Sequence, residues 1–400
     1  MKRLLFIASL AILAMSCEKT IVSNGVLTPI GFSTEAGKQT KAVVQNFGRD
    51  SYPTEQPFAV YAYGHQENNT DPIMQNVAIA YTAASSSNNV QTPAKWSADG
   101  STKYYWPNDP RTTIDFYAYS PATNTTNYDG PELKNDQKLH FIQGGGVSHT
   151  EDGGLILSGY KHKNMYVDFM VAAPVIGATY GDQDGSGNSN PTNAVPVSFA
   201  HQMTQVNFTV KLVDQASYPN VDFTINSITL NEIYDQANYS YIGQNKWIAA
   251  NDKRSYTVFP AVIDTDNAAP IQAAESAVVL HTDTRAANGN DPENQAKTSF
   301  NTTPVTMIPQ AFVASTKDNN GNITALGHSF TINYDIKGVG VADENVVKTF
   351  DLPVGSPTTT DYTWTPNKKI TYVLTISLKE ILFDPQVQTW DPSVEENFDI

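Results

Sequence analysis

The side chains of this 400-residue chain that could do chemistry are few and scattered. Its single cysteine, Cys17, excludes both a disulfide within the chain and a metal site built from several cysteines. The seven histidines stand singly, and the chain contains no Gly-x-Ser-x-Gly elbow, HExxH motif or Walker loop. We therefore expect no catalytic residues, no metal and no cofactor, and predict that the protein is not an enzyme.

Two histidines lie where a ligand or a base could stand. His201 adjoins an apolar segment, and we interpret it as a structural residue that hydrogen-bonds inside the fold. His149 is close to Glu151 and Asp152, a combination that could bind a metal. The stretch 144–154 is rich in glycine, however, so we interpret His149 as part of a solvated loop.

The segment 182–187 (DQDGSG) matches the opening of a calcium-binding loop, in which alternate oxygen ligands and a glycine surround a hard cation. Asn193 stands where such a loop would have its bidentate glutamate. Because 181–193 contains no apolar residue, we interpret it as a flexible linker and a domain boundary. The predicted domains are 26–185 at the N-terminal side and 186–400 at the C-terminal side.

The N-terminus has the layout of a secretory signal. A positively charged start precedes an apolar run from Leu4 to Met15, and a small residue stands before Cys17. A cysteine as the first mature residue is typical of a bacterial lipoprotein. Residues 1–16 are therefore predicted to be a signal peptide, Cys17 an acylated anchor in the outer membrane and 17–25 its tether. The alternative is an ordinary secretory signal with an incidental cysteine.

Composition excludes one class of partner and favours one class of structure. The chain has 25 Lys and Arg against 40 Asp and Glu, and its formal net charge is −15. A nucleic-acid-binding protein needs clustered cations for the phosphates, and we find no basic patch. Charged residues make up only 16% of the chain, whereas 20 Tyr, 17 Phe and 5 Trp favour strands over helices.

Apolar residues alternate with other side chains at several places, which is the period of a β-strand. In 58–63 and 114–119 the alternation predicts strands with one buried face, and the continuous apolar run 165–172 fits a strand covered on both faces. The second half has further alternating segments, namely 206–212, 330–336 and 370–378, and then 381–390, which Pro385 is expected to break. No segment after the signal has convincing helical periodicity. We predict an all-β fold with two tandem β-sandwich domains.

The first strand is predicted at Val26 to Ser33, apart from the others. It is followed by Glu35 to Glu55, which is rich in Gly, Gln, Thr and Lys and poor in apolar residues. Such a composition indicates an exposed connection that proteases can reach.

Several short segments in this order together resemble the fimbrillin family, lipoproteins of Gram-negative anaerobes. They are Cys17, the early strand that ends at Phe32, Gln39–Ala42, Tyr104–Pro107 (YYWP), Phe116–Pro121 (FYAYSP), Phe199–Val206 (FAHQMTQV), Met307–Gln310 (MIPQ) and the closing Tyr372–Trp390. The resemblance implies two transthyretin-like β-sandwich domains. It also implies assembly into type V pili after export as a lipoprotein and trimming by a trypsin-like surface protease.

The resemblance further implies an assembly mechanism, donor-strand exchange. Removal of the first strand would open a groove that accepts a strand from another chain. The scissile bond would follow Lys41, before Ala42, or alternatively Arg49. The displaced strand would carry Val26, Leu27, Ile30 and Phe32, and the donor strand would carry Tyr372, Leu374, Ile376, Leu378, Ile381 and Phe383. In the alternative interpretation, both terminal segments are permanent members of their own sandwiches.

Two functions remain open at this point. The first is a structural subunit of a cell-surface fimbrium whose partners are other fimbrial subunits, outer-membrane lipid and the trypsin-like protease. The second is a lipid-anchored adhesin or pilus tip in which exposed aromatics stack on glycan rings. The candidate aromatics are Tyr61, Tyr63, Tyr117 and Tyr119, which could equally cover the outer face of a sheet or pack under a loop.

Overall fold

The alternating apolar segments form strands in a computed structural model of the chain. The structure describes residues 28–34, 52–67, 69–87, 90–109, 111–122, 138–150, 154–181, 194–213, 221–241, 246–249, 252–263, 271–272, 277–281, 298–338, 341–352, 363–378 and 381–389. These residues contain 29 strands and no helix. The prediction of an all-β fold is confirmed.

The strands are numbered in chain order. The first ten are β1 (Gly31–Thr34), β2 (Phe58–Gln66), β3 (Asn69–Thr82), β4 (Ser85–Ser87), β5 (Val90–Thr92), β6 (Lys95–Ala98), β7 (Thr113–Ser120), β8 (His140–Thr150), β9 (Gly154–Lys161) and β10 (Met170–Ala172). The next ten are β11 (Val175–Ala178), β12 (Ala194–Val197), β13 (Phe199–His201), β14 (Thr204–Leu212), β15 (Val221–Tyr234), β16 (Gln236–Ser240), β17 (Trp247–Ala249), β18 (Lys253–Phe259), β19 (Val262–Ile263) and β20 (Ile271–Gln272). The last nine are β21 (Val278–His281), β22 (Ser299–Asn301), β23 (Val305–Met307), β24 (Thr316–Lys317), β25 (Ile323–Ala325), β26 (Ser329–Gly338), β27 (Val341–Asp351), β28 (Lys368–Ile376) and β29 (Ile381–Thr389).

A nine-stranded sheet contains most of the N-terminal strands. Its order is β12-β1-β6-β3-β2-β7-β10-β13, and β11 also pairs with β7. A four-stranded sheet, β17-β16-β9-β8, packs against one of its faces, since Leu157 of β9 and Tyr239 of β16 share an apolar cluster with Tyr61 of β2.

The prediction that 58–63 and 114–119 form strands is confirmed, and the alternation predicted for 114–118 matches the burial of β7, but the prediction of one buried face is wrong for β2. On β2, Phe58, Val60 and Ala62 lie in one apolar cluster, whereas Ala59 and Tyr61 lie in the other. Every residue from 58 to 63 is buried. The alternation does not reveal the second buried face because tyrosine is partly polar. Its ring packs in the apolar layer while its hydroxyl makes a hydrogen bond.

The later strands enclose a second core. Two five-stranded sheets contribute to it, β22-β14-β28-β29 with β23 and β18-β15-β26-β27 with β21. Their facing side chains form one apolar cluster, in which the ring centroids of Phe208 and Phe330 are 5.2 Å apart and those of Phe208 and Tyr372 are also 5.2 Å apart. The alternation predicted for 206–212, 330–336 and 370–376 matches the burial of these strands.

The sheets run across the predicted boundary at 185/186. Strand β12 pairs in parallel with β1, and β13 pairs with β10. Strand β9 pairs with β16 in the four-stranded sheet. The segment 182–193, including the calcium-like stretch, lies outside the described residues. The two-domain division therefore stays a prediction, and the strands just after the boundary belong with the first sheet.

Buried polar groups connect the segment between β9 and β10 to later strands. Thr306 donates its hydroxyl to the carbonyl of Val167 at 2.6 Å, and its own carbonyl accepts from Nε2 of His162 at 2.7 Å. Nδ1 of His201 lies 2.6 Å from Oδ2 of Asp168, and both side chains are buried. The prediction that His201 is a structural hydrogen-bonding residue is confirmed.

His162 is held neutral by its surroundings. A carbonyl can only accept, so Nε2 carries the proton and Nδ1 accepts from the Tyr160 hydroxyl at 3.0 Å. Complete burial lowers the pKa of His162 from 6.5 to about 4. Between these two pH values, His162 is therefore neutral in the folded protein and protonated in the unfolded chain.

We predict that acid destabilises the fold through His162. Between about pH 6.5 and pH 4 the unfolded state binds more protons than the folded state, so the free energy of unfolding falls as pH falls, by about 3 kcal/mol for this one group. Urea unfolding at several pH values should show a shallower pH dependence for His162→Gln than for the wild type. An unchanged slope would contradict the assignment of a neutral buried His162.

Candidate assembly site

The first strand is a member of the nine-stranded sheet. Strand β1 (Gly31–Thr34) pairs in parallel with β12 over four residues and in antiparallel fashion with β6 at Phe32 and Trp96. Just before it, the Ile30 amide donates to the Tyr104 carbonyl at 2.8 Å, and the Trp106 amide donates to the Thr28 carbonyl at 2.9 Å. The strand begins later than the predicted Val26, and both Val26 and Leu27 lie outside the described residues.

The side chains of this strand complete the apolar core of the first sheet. Ile30 is 4% exposed and Phe32 is 3% exposed. The ring of Phe32 meets the rings of Phe58 and Phe116 edge to face, at centroid distances of 5.9 and 5.8 Å. Removal of this segment would leave an apolar groove and would unpair the backbone of β12 and β6.

The residues that wall this groove were not predicted. Trp96 lies opposite Phe32 on β6, and Val195 and Val197 of β12 are buried in the same cluster. Strand β12 (AVPV) is short and follows a segment without apolar residues, so only its two alternating valines signalled a strand. Nothing in the sequence indicated that it would pair in parallel with β1.

The six predicted donor residues are divided between two strands. Tyr372, Leu374 and Ile376 lie on β28 and are buried in the second core. Strand β28 has neighbours on both sides, β14 in parallel and β29 in antiparallel orientation, with nine residue pairs each. Leu378 follows β28 and packs partly buried against the core, whereas Ile381 and Phe383 lie on β29.

Strand β29 is the edge of its sheet within the described part of the chain. The predicted break at Pro385 is wrong, because the strand runs from Ile381 to Thr389 through this residue. Proline lacks an amide hydrogen. An edge strand tolerates this because one side of its backbone has no neighbouring strand to which it would donate hydrogen bonds. In the part of the chain that the structure describes, β29 is therefore held by one neighbouring strand only.

The structure does not describe the residues predicted to be acylated or cleaved. Cys17, Lys41, Ala42 and Arg49 lie outside the described residues, and their roles stay predictions. The described connection resumes at Tyr52, which is buried and whose hydroxyl lies 2.6 Å from that of Ser120. The first sheet thus holds the chain on both sides of the segment that carries Lys41 and Arg49.

The four tyrosines proposed to bind glycans are not an exposed aromatic surface. Tyr61, Tyr63 and Tyr119 are buried and Tyr117 is half-buried beneath the β8–β9 hairpin. The hydroxyl of Tyr63 donates to the His149 carbonyl at 3.0 Å. The hypothesis that these rings stack on sugars is wrong, because a second sheet already covers them.

The interpretation of His149 as part of a solvated loop is also wrong. It lies on β8, is 8% exposed and contacts three of these tyrosines, with centroid distances of 4.1 Å to Tyr117, 5.3 Å to Tyr61 and 5.4 Å to Tyr63. Burial lowers the pKa of His149 to about 4, so the ring is neutral at physiological pH. Of the nearby glycines, Gly144, Gly145 and Gly146 lie on β8, and Gly154 begins β9.

The described residues contain neither a membrane-crossing helix nor a metal cluster. None of their elements is a helix of the length and apolarity that a bilayer requires. Among the same residues, no group of three or more His, Cys, Asp or Glu side chains could hold a metal ion.

The fold and the site define the chain as an all-β protein whose first strand completes a core built mainly by later strands. Residues 40–390 match the model of a family described as fimbrillin-like. The chain belongs to this family, as its sequence motifs predicted. Membership places it among the subunits and adhesins of cell-surface fimbriae. None of the curated proteins matches the chain.

Solved structures that the chain is similar to include two fimbrial proteins. One is a fimbrial protein from Bacteroides vulgatus, with 18% identity and a TM-score of 0.48 over 91% of this chain and 99% of that chain. Another is the tip fimbrial protein Mfa3 from Porphyromonas gingivalis with a C-terminal truncation, with 11% identity and a TM-score of 0.28 over 91% of this chain and 100% of that chain.

We predict that Phe32→Ala strongly destabilises the first sheet. The substitution leaves a cavity between Phe58 and Phe116, and the loss of a buried phenylalanine ring costs about 3–5 kcal/mol. Urea denaturation followed by tryptophan fluorescence measures the change. The half-buried neighbour Ser33 provides the matched control, Ser33→Ala, for which we expect a change below about 1 kcal/mol. Equal effects of the two substitutions would contradict the packing of β1.

Proposed function

We propose that the protein is a structural subunit of a type V pilus that is exported as a lipoprotein, trimmed near its N-terminus and polymerised by donor-strand exchange. The observation that supports this proposal is the packing of the first strand. Two buried side chains of a short N-terminal segment complete a core that distant strands build. We assign the protein a structural rather than a catalytic role.

The energetics favour refilling of the groove. Loss of β1 would expose apolar surface around Phe58, Phe116 and Trp96 to water, at a cost of roughly 25 cal/mol per Å². It would also leave unpaired amides and carbonyls on β12 and β6. A strand from another chain can restore both the apolar contacts and the ladder, as in other strand-addition complexes.

The groove that β1 would leave restricts which strand could replace it. Buried Ile30 and Phe32 are two residues apart, so the donor must offer apolar side chains with the same spacing. Its direction is restricted as well, because a strand in this place must be parallel to β12 and antiparallel to β6. A donor with the wrong register would turn its polar face toward the core.

The pairing of the C-terminal strands favours β29 over β28 as the donor. Departure of β29 breaks one ladder, whereas departure of β28 breaks two and uncovers Tyr372, whose hydroxyl accepts from Trp364 Nε1 at 3.0 Å. The proposal therefore rests on Ile381 and Phe383, with Leu378 at the hinge. Tyr372, Leu374 and Ile376 would take part only if the whole β28–β29 hairpin left the second core.

Such an exchange propagates into a filament. The acceptor groove lies in the first sheet and the donor strand lies at the edge of another sheet, so the contact uses two different surfaces. A heterologous contact that does not close into a ring extends indefinitely. This geometry suits a stalk subunit.

We predict that proteolysis triggers assembly. Purified protein that starts after Cys17 should be cut by trypsin within the segment 35–51 and should then form a ladder of oligomers that resist SDS without boiling. Mass spectrometry identifies the cut, and we expect it after Lys41 or Arg49. Deletion of 381–400 should abolish the ladder but not the cut, because it removes the donor and leaves the groove.

The matched control is an uncleavable chain. Lys38 stands in the same segment, so the variant carries Lys38→Gln, Lys41→Gln and Arg49→Gln together. It should remain monomeric after trypsin treatment. If the wild type is cut after Lys41 or Arg49 yet stays monomeric, donor-strand exchange is contradicted and an anchored adhesin or tip protein becomes the better proposal.

We predict that Cys17→Ala releases the protein from the membrane. Acyl chains on Cys17 would contribute about 0.8 kcal/mol for each buried CH₂ group, and alanine cannot be acylated. Cell fractionation and metabolic labelling with palmitate should place the wild type in the outer-membrane fraction with label, and the variant in the soluble fraction without label. The conservative variant Cys17→Ser tests whether acylation rather than residue size decides the outcome. Retention of both variants in the membrane would contradict lipidation.

A further inference from the structure

We propose that a polar pocket beside the entry to β1 binds a neutral saccharide. The pocket has a volume of about 210 Å³, which is below the roughly 300–1,000 Å³ of sites for drug-sized molecules, so its ligand must be small. Its walls come from three separate parts of the chain, namely Thr28, residues 106–109 with Thr112, and the pair Thr179 and Tyr180. This place differs from the rejected tyrosine surface, which faces the β8–β9 hairpin.

An aromatic ring lies at the pocket with much of its surface in water. Tyr180 is 54% exposed, whereas most of the other tyrosines among the described residues are buried. Trp106 also lines the pocket, but it is 3% exposed and packs against Phe116 in the core. The exposed ring of Tyr180 offers a flat apolar face to the C–H side of a pyranose, while the hydroxyls of the sugar point toward polar groups.

The polar groups around the rings suit hydroxyls. The pocket is lined by the amide of Asn108, the carboxylate of Asp109 and the hydroxyls of Thr112 and Thr179. Amide and threonine groups both donate and accept, as sugar hydroxyls do. Together they match a ligand that carries several donors and acceptors on one ring.

The carboxylate is fixed in place before any ligand arrives. Arg111 donates from Nε to Oδ1 of Asp109 at 3.2 Å and from Nη2 to Oδ2 at 3.0 Å, and Gln66 donates to Oδ2 at 2.8 Å. These hydrogen bonds, those of Arg111 foremost, lower the pKa of Asp109 to about 2, so it is ionised at neutral pH. The backbone amide of Arg111 also donates to Oδ1 at 3.0 Å, so the carboxylate already accepts four hydrogen bonds and fixes the pocket wall rather than binding a sugar hydroxyl itself.

One wall residue has an unused donor. The indole Nε1 of Trp106 is buried and has no hydrogen-bond partner among the described residues. A buried donor without a partner costs about 1–3 kcal/mol, and such groups are few in native structures. Trp106 lines the pocket, but Nε1 itself is closed to solvent, so a sugar hydroxyl would satisfy this donor only by displacing part of the wall.

The lining of the pocket favours a neutral ligand over an anion. No lysine, arginine or histidine is among the described residues that line it, and the nearby guanidinium of Arg111 is already paired with Asp109. A phosphate, sulfate or carboxylate would therefore find no cation in these walls to replace its hydration. A hexose or an N-acetylhexosamine carries no charge and needs none.

The test uses the uncleaved chain that starts after Cys17, because Thr28 belongs to the segment proposed to leave during assembly. Saturation-transfer NMR is recorded with the methyl glycosides of glucose, galactose, mannose and N-acetylglucosamine at millimolar concentration. Titration of the best binder, followed by amide chemical shifts, gives the dissociation constant and the place of binding. We expect shifts around 106–112 and 179–180.

Variants separate the pocket from other surfaces. Tyr180→Ala changes an exposed side chain, so this variant should fold. We expect it to weaken binding at least tenfold, and Asp109→Asn to weaken it as well. The matched control is Tyr105→Ala, since Tyr105 is 38% exposed and does not line the pocket.

Three results would overturn the proposal. The first is the absence of binding to all four glycosides, and the second is equal binding by the wild type and Tyr180→Ala. The third is a loss of binding in Tyr105→Ala as large as that in Tyr180→Ala. The proposed polymerisation is not needed for this experiment, so a chain that fails to assemble after trypsin could still bind sugar, and the reverse also holds.

Discussion

Burial of β2 on both faces is the constraint on which the rest of the structure depends. Phe58 and Val60 need one apolar layer, and Tyr61 needs another on the opposite side of the sheet. The short strand β1 and its neighbours supply part of the first layer, and the β8–β9 and β16–β17 strands supply the second. A sheet that is apolar on both sides cannot face water on either side, so both layers must be present in the folded subunit.

The first and last of the described strands are held in different ways. Strand β1 lies between two neighbours, and its side chains fill a core, whereas β29 has one neighbour among the described residues and lies at an edge. An interior strand leaves a well-defined groove when it is removed, and an edge strand can leave without opening the sheet behind it. The proposed strand exchange would use this asymmetry, because it needs a groove between two strands as the acceptor and an edge strand as the donor.

Polar residues inside the molecule fix its sheets relative to one another. His162 bridges Tyr160 and Thr306, and the buried Asp168–His201 pair lies close to the same strands. Burial keeps His162 neutral, since an unpaired imidazolium would cost far more than the hydrogen bonds return. Buried polar contacts of this kind have directional requirements that apolar packing lacks, and they specify one arrangement of the strands.

The sequence by itself determined the class of fold, the strands with clear alternation and the family. The strands at 206–212, 330–336 and 370–376 were predictable because one face is apolar and the period of two is local. Only the tertiary structure decided which faces are covered, and so buried Tyr61 and His149, which the sequence had placed in contact with solvent. It also decided that β12 pairs with β1, that β29 is an edge and that Tyr180 lies beside Trp106 and Asp109. These features depend on contacts between residues far apart in the chain, which leave no periodic pattern in a single sequence.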